Sequence, residues 1–267
     1  MLKILADSVN IETGDRITTF LVPIWKVLQA ELRTHRSTGQ SHYSSRAIPT
    51  SKLLEQVKTN PFIPIWYEYQ KGMAGSNSLS NEQKTLATEV WVSALSSMVY
   101  HVEKLIEIGI SKEQRNRLLE PFMVGDCVVS ASDYAWKHFF ELRCTDGVQP
   151  EFKELALKMQ SLYEKNLPSI LKVGEWHIAF EEKGLPLIQR LKVSAARCAR
   201  TSYLNHQNSI NYQKDFTLCD RLLADKHLTP FEHQFCAMPD SSLHSQYKGF
   251  QSLRDRIKTG LKLSSAS

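Results

Sequence analysis

Apolar and polar positions change period several times along the chain, and each change marks an element. Residues 2–9 and 16–22 carry Leu, Ile, Val and Thr around a Gly14-Asp15 break, which predicts a β-hairpin. The apolar run Phe20 to Trp25 leads into a helix expected from about Pro23 to Arg36, with proline in its first turn. Gly39 to Arg46 reads as a loop of small hydroxyl residues closed by an arginine. Residues 47–80 are irregular, with a short helix expected at 50–58; Asn60-Pro61, Ile63-Pro64 and Gly72 punctuate the remainder. Such a long connection is expected to pack over a site.

Ser80-Asn81-Glu82-Gln83 is a capping box. Behind it Trp91, Ala94, Leu95, Met98, Val102, Leu105 and Ile106 keep helical spacing until Gly109. Ser111 to Gln114 is a second box, opening a short helix that Pro121 ends. Helices are expected over 131–143 (burying Tyr134, Trp136, Phe139, Phe140 and Leu142), 150–165, 188–199 and 215–226. The last strand is expected over 231–238, and the tail after Lys258 should fray.

Composition narrows the class. The 267 residues suffice for one large domain or two small ones, and 42% hydrophobic content supports a core. No apolar run reaches membrane-span length. The early Asp7 and short apolar start do not make a signal peptide, so a cytoplasmic protein is expected. The five cysteines are scattered without a Cys-x-x-Cys, which argues against a zinc site or a disulfide framework. A net charge of +5 suits nucleic acid or a pocket for small anions equally.

Candidate chemistry concentrates between Glu31 and Arg46, where three arginines, two histidines and four serines follow a single acid. Backbone N–H groups, hydroxyls and a guanidinium there suit a phosphate. The alternative is a helix end whose cations complement its dipole. Arg143 ends an aromatic helix and needs an acid or an anionic ligand as partner. Arg117 alone reads as a solvated residue. His227 and His233 flank Pro230, so they cannot share a helix face, and no third metal ligand is indicated. No Gly-rich phosphate loop is present. Ser44 has no evident base and no cysteine a local activator, so covalent catalysis by the protein lacks support.

Four segments together resemble one family, the flavin-dependent thymidylate synthases. His35-Arg36, seven residues, then Ser44 resembles that family's Arg-His-Arg-x7-Ser signature, with Thr34 in place of the first arginine. The Thr-His-Arg form, followed by Ser44 to Pro49, looks like a phage and bacterial branch. Cys198 to Tyr203 resembles Ala-Arg-x-Ser-Tyr, and His227 to His233 resembles His-x-Ser/Thr-Pro-Phe-Glu-His. His138 to Arg143 resembles Asn/His-Phe-Leu-x-Leu-Arg, and Arg117, four residues before Pro121, a nucleotide-contacting arginine. The order is permuted, because segments that open the usual chain close this one. His42 stands where a glutamate is usual, Ser132 and Tyr134 where Asn and Arg are usual, and the tail 247–254 follows the branch pattern loosely.

The resemblance implies an α+β fold, a mixed or antiparallel sheet flanked by helices, circularly permuted within one catalytic domain spanning 1–267. That domain would comprise the signature loop and helical part (1–180), the permuted segment (181–258) and a tail. It implies a homotetramer, with FAD as cofactor and NADPH and methylenetetrahydrofolate as co-substrates, that methylates dUMP at C5 to dTMP. Neither a membrane nor a stable nucleic-acid partner is implied. It assigns FAD contacts to His35, Arg36, Ser37, His138, Ser202, Thr229 and Glu232. Nucleotide contacts fall on Glu31, Arg33, Thr34, His42, Ser44, Ser45, Arg46, Arg117 and Arg143, and catalytic roles on Arg143 and His227. The substituted positions keep two alternatives open. One is a related C5 methylase or hydroxymethylase acting on UMP, dCMP or a phage base; the other is a silent nucleotide- or RNA-binding homologue. For His227 the competing reading is a cap on the preceding helix.

Overall fold

A computed structural model describes residues 1–69, 71, 78–203 and 211–263. In chain order the elements are β1 (Lys3–Asn10), β2 (Arg16–Trp25), α1 (Gln29–Leu32), β3 (Gly39–His42), α2 (Thr50–Thr59), α3 (Asn81–Glu107), α4 (Lys112–Arg115), β4 (Val124–Ser132), α5 (Asp133–Arg143) and α6 (Pro150–Lys165). The second part has β5 (Ser169–Leu171), β6 (Trp176–Ile178), α7 (Leu187–Ala199), α8 (Tyr212–Ala224), β7 (Gln234–Ala237), β8 (Leu243–His244), β9 (Tyr247–Lys248), β10 (Phe250–Ser252) and α9 (Leu253–Lys258).

The predicted hairpin forms, and it sits at the centre of a five-stranded mixed sheet ordered β3-β4-β2-β1-β5. All its pairings are antiparallel except β1 with β5. A three-stranded antiparallel sheet, β10-β7-β6, accompanies it. The α+β expectation holds.

Side-chain alternation on the central strands assigns the faces. Phe20, Val22 and Ile24 of β2, with Cys127, Val129 and Ala131 of β4, enter the main core beneath α2, α3, α5 and α6. Trp136 anchors that core, edge-on to Phe20 at 5.0 Å, its indole N–H donating to the Thr18 carbonyl at 3.1 Å. The opposite face carries Ile17, Leu21 and Val128 toward the small sheet and α7. It also carries a line of hydroxyls, and two histidines from the second part complete their hydrogen bonds. His177 Nδ1 meets Ser8 Oγ at 2.9 Å and its Nε2 meets Thr19 Oγ1 at 2.8 Å. Thr19 Oγ1 lies 2.7 Å from Ser130 Oγ. Ser130 Oγ meets His233 Nδ1 at 2.8 Å, and His233 Nε2 meets Ser41 Oγ at 2.9 Å. Every member of this seam is buried and partnered, as buried polar groups must be to avoid a desolvation penalty.

Several expectations need correction. No helix starts at Pro23. β2 continues to Trp25, and Pro23 stands beyond the last β1 rung, Lys3↔Leu21, where its missing N–H removes no bond to β1. The helical part shrinks to a 3₁₀ turn, Lys26–Leu28, and the single turn of α1. Gly39 to His42 is an edge strand on β4 rather than loop. β4 itself was not anticipated: buried on both faces, it lacks the alternation that marks a strand.

The Ser80 capping box forms, but α3 buries only Leu95, Val99 and Val102; Ala94 and Ile106 are exposed. Ser111 makes no side-chain cap, and Pro121 lies inside a 3₁₀ helix, Asn116–Phe122. Tyr134 and Leu142 are exposed. The described part of 61–69 covers α3 rather than a site, with Phe62 and Trp66 against Trp91. Thr229–Glu232 is 3₁₀, so the last predicted strand starts at Gln234, and Leu263 is buried rather than frayed. Gly72 lies outside the described residues. Among the described residues no helix is long and apolar enough to cross a membrane, and no cluster could hold a metal ion.

Candidate active site

The turn Arg33 to Thr38 leaves α1 and is held from two sides. Its backbone is gripped by the edge strand: Gln40 Nε2 donates to the Leu32 carbonyl at 3.0 Å and to Thr38 Oγ1 at 2.6 Å. Its side chains are gripped by Arg143, at the end of α5. Arg143 Nε donates to His35 Nε2 at 2.8 Å and Nη2 to Thr34 Oγ1 at 3.2 Å, while Nη1 is paired with Glu31. The partner that Arg143 needed is thus an acid within the signature segment. The guanidinium also lies over Phe152, 4.9 Å from its centroid.

His35 is buried, edge-on to Phe139 at 4.8 Å. Burial and the adjacent Arg143 push its pKa down to about 4. Because Nε2 accepts from Arg143, Nδ1 is the ring's donor.

Two clefts flank this turn. The first, about 350 Å³, is lined by Thr34, His35, Arg36, Ser37 and Thr38 and, across from them, by Tyr134, Ala135, His138, Leu142 and Arg143. The second, about 360 Å³, is lined by Arg33, His35, Arg36, Thr38, Gln40, His42, Thr229 and Glu232. His35, Arg36 and Thr38 form the shared wall.

The late segment therefore closes against the early one. Gly39 is required at the junction: a Cβ there would stand 2.3 Å from the Tyr247 hydroxyl and 3.0 Å from the Glu232 carbonyl. Glu232 is paired with Arg254. Arg33, Arg36, Ser37, His138 and Thr229 are exposed and offer donors to the cleft space.

Other assigned residues are placed differently. Ser45 is fully buried and donates to Glu120 Oε1 at 2.5 Å, so it is not free to hold a phosphate. Arg117 reaches the same carboxylate at 3.2 Å. Ser44 donates its backbone N–H to Ser202 Oγ at 2.9 Å. Ser202 thus braces the signature loop and borders a separate cleft of about 820 Å³ near Trp25 and Tyr43, apart from the two clefts beside the turn. Arg46 is exposed and makes no ion pair among the described residues.

His227 is exposed and lines neither cleft. Its N–H donates to the Leu222 carbonyl at 2.8 Å, and the N–H of Lys226, at φ +55°, donates to Leu223 at 3.1 Å. This pair of bonds is a Schellman closure of α8, so His227 caps by its backbone and not by its ring. His42 has both ring nitrogens engaged, by Gln40 Oε1 at 2.7 Å and Cys127 Sγ at 2.9 Å.

Three residues escaped the sequence reading. Lys26 is half-buried within the field of Glu120, Arg33 and Arg117, with burial lowering its pKa. Its Nζ donates to Gln29 Oε1 at 2.9 Å. Gln40 secures the turn. A cation directly after an apolar run was the available signal for Lys26; the two glutamines gave none.

A family model described as "Thymidylate synthase complementing protein" matches residues 17–169. A flavin-dependent thymidylate synthase of Synechocystis is 26% identical over 119 residues, covering 41% of this chain and 55% of that protein. A probable flavin-dependent thymidylate synthase of Paramecium bursaria Chlorella virus 1 is 28% identical over 153 residues, covering 56% of this chain and 67% of that protein. The chain thus spans between half and two thirds of the length of these curated relatives. Among solved structures, the UMP/dUMP methylase PolB from Streptomyces cacaoi, bound with 5-Br UMP, aligns with a TM-score of 0.47 and 14% identity, over 62% of this chain and 88% of that one.

Proposed function

The chain belongs to the thymidylate synthase complementing protein family, and from that membership we propose that it is a flavin-dependent thymidylate synthase. The reaction moves a one-carbon unit from methylenetetrahydrofolate to C5 of dUMP, with NADPH as reductant, to give dTMP. The observation that carries this reading is the shared wall of His35, Arg36 and Thr38 between two clefts, one closed by α5 and the other by Thr229–Glu232.

The donor set fits FAD. Arg33 and Arg36 offer cations for a diphosphate, His35 Nδ1, Ser37 and Thr229 offer neutral donors, and Tyr134 and Leu142 supply an apolar wall. When bound, FAD supplies the redox chemistry that these side chains cannot.

The chain's own residues then bind, orient and compensate charge. Arg36 and His138 face the first cleft and would hold the cofactor there. Arg143, oriented by Glu31, Thr34 and His35, would present fixed positive charge to the pyrimidine as charge develops on its carbonyl oxygens. Arg33, Arg46 and Arg117 would attract the nucleotide phosphate, with Lys26 reinforcing that field. Glu232, neutralised by Arg254, would shape the second cleft without repelling an anion. Folate and a homotetramer complete the proposal. The permuted domain acts as one catalytic unit, in the cytoplasm.

A second reading, a methylase for UMP or dCMP, is favoured by Thr34 and His42. Thr34 bonds Arg143 and both ring nitrogens of His42 are engaged, so neither presents the charge of the family residue it replaces. Incubating the protein with dUMP, UMP and dCMP beside FAD, NADPH and methylenetetrahydrofolate, then weighing the products, separates the readings. A colourless protein that takes up no added FAD would remove the flavin enzyme altogether.

A further inference from the structure

His42 and Cys127 are directly opposite on β3 and β4, and their side chains meet on the main-core side of the sheet. The hydrogen-bond roles follow from geometry. Gln40 Nε2 faces the Leu32 carbonyl, an obligatory acceptor, so this end of the amide is the donor and Oε1 must accept. His42 Nε2, 2.7 Å from that Oε1, therefore carries the proton. His42 Nδ1 is bare and accepts the Cys127 thiol proton across 2.9 Å.

The result is a tether with one direction. The thiol donates to His42, His42 to Gln40, and Gln40 to the Leu32 carbonyl and Thr38 hydroxyl. Thr38 donates in turn to the His35 carbonyl at 2.7 Å. It ends on the Leu32 carbonyl at the close of α1 and on the His35 carbonyl in the turn, which also accept the backbone N–H groups of His35 at 3.2 Å and Thr38 at 3.3 Å. The far end is anchored in the sheet, where Gln29 Nε2 approaches Cys127 Sγ at 3.8 Å.

Building on the flavin reading, we propose that His42 is a positioning residue. As the neutral Nε2–H tautomer it fixes Gln40, and through Gln40 the backbone of the turn that presents His35 and Arg36 to both clefts. Its replacement for the family's glutamate makes it a strut and not a nucleotide contact. The charged groups facing it are Arg33 and Lys26, both cationic, which together with burial disfavour a second ring proton. A second proton would remove the thiol's acceptor, His42 Nδ1.

Four measurements test this. Nitrogen-15 NMR of the ring at neutral pH should show the Nε2–H neutral form; an Nδ1–H or charged ring overturns the proposal. His42→Phe keeps the ring and removes both bonds. Amide exchange over 32–38 should then quicken by about tenfold or more while α6 and α8 stay unchanged. FAD should bind about tenfold more weakly, with His42→Gln, whose amide can reach Gln40 Oε1, recovering most of both losses.

Unchanged exchange over 32–38 in His42→Phe overturns the tether, and equal quickening throughout the fold reduces His42 to general packing and overturns it too. If that variant does not fold, Gln40→Leu tests the same turn from the other end, with the same expected and contrary results. Wild-type protein that takes up no FAD, yet shows the tautomer and the local loosening, sinks the proposed function and leaves the tether standing.

Discussion

The hydroxyl–histidine seam under the sheet and the Arg33–Thr38 turn use similar side chains to opposite ends. In the seam every hydroxyl and imidazole is buried and answered by another, so nothing is left to offer a ligand. In the turn, Arg33, Arg36 and Ser37 are exposed, and the groups that are answered are those that hold the backbone and Arg143. Two histidines of one short motif divide the same way: His233 is a buried rivet, His227 an exposed ring on a helix closure. Residue type alone therefore does not locate chemistry; unanswered donors do.

The largest expected effect is in the seam. His233→Ala leaves Ser41 and Ser130 without their imidazole and opens a cavity, and should cost roughly 3–5 kcal/mol in urea unfolding. A loss below about 1 kcal/mol would break the contrast.

The seam is also acid-sensitive. Burial lowers the pKa of His177 to about 4 and of His233 to about 3. The unfolded chain binds more protons than the folded one below the ordinary value of 6.5, so this stability is complete above that pH and falls as the pH drops toward 4. The loss should be on the order of 3 kcal/mol per histidine. A urea midpoint that stays flat from pH 7 to 4 would mean the imidazoles are not buried neutral.

The turn should respond first in function. Arg143→Ala should lower kcat/KM by roughly a hundredfold or more, and the thermal midpoint should fall as well, because Glu31, Thr34 and His35 lose their shared partner. Arg36→Ala should weaken FAD binding by roughly 1.5–3 kcal/mol, with unfolding unchanged. A stability loss matching that of His233→Ala would make Arg36 a structural residue. Smallest of all, His227→Ala should change stability by less than about 0.5 kcal/mol, because the closure uses its backbone. Loss of turnover with FAD retained would restore its catalytic assignment.

Local signals were legible where a motif had a local cause. Pro150 in the first turn opened α6 and Ser80 with Gln83 capped α3, each a cause within a few residues. The turn at 33–38 was legible as a cationic cluster, and the resemblance grouped His35 and Arg36 with Thr229 and Glu232, which line one cleft. What failed depended on distant partners. β4 hid its period because both faces are covered. Pro23 looked like a helix start because its position beyond β1 is a matter of register. Ser45 and Ser202 looked like ligand groups because Glu120 and the Ser44 amide, their real partners, lie far off in sequence.

The seam also sets an order in time. The five-stranded sheet has all its strands once residue 171 has been made, but Ser41 meets its imidazole 192 residues further along the chain. During synthesis, Thr19 and Ser130 must wait, with Ile17, Leu21 and Val128 beside them, until β6, β7 and the motif around His233 emerge. Such long-separation closures are slow, and the uncovered face is open to foreign chains meanwhile. A nascent chain halted near residue 225 would hold the whole sheet and lack its rivet.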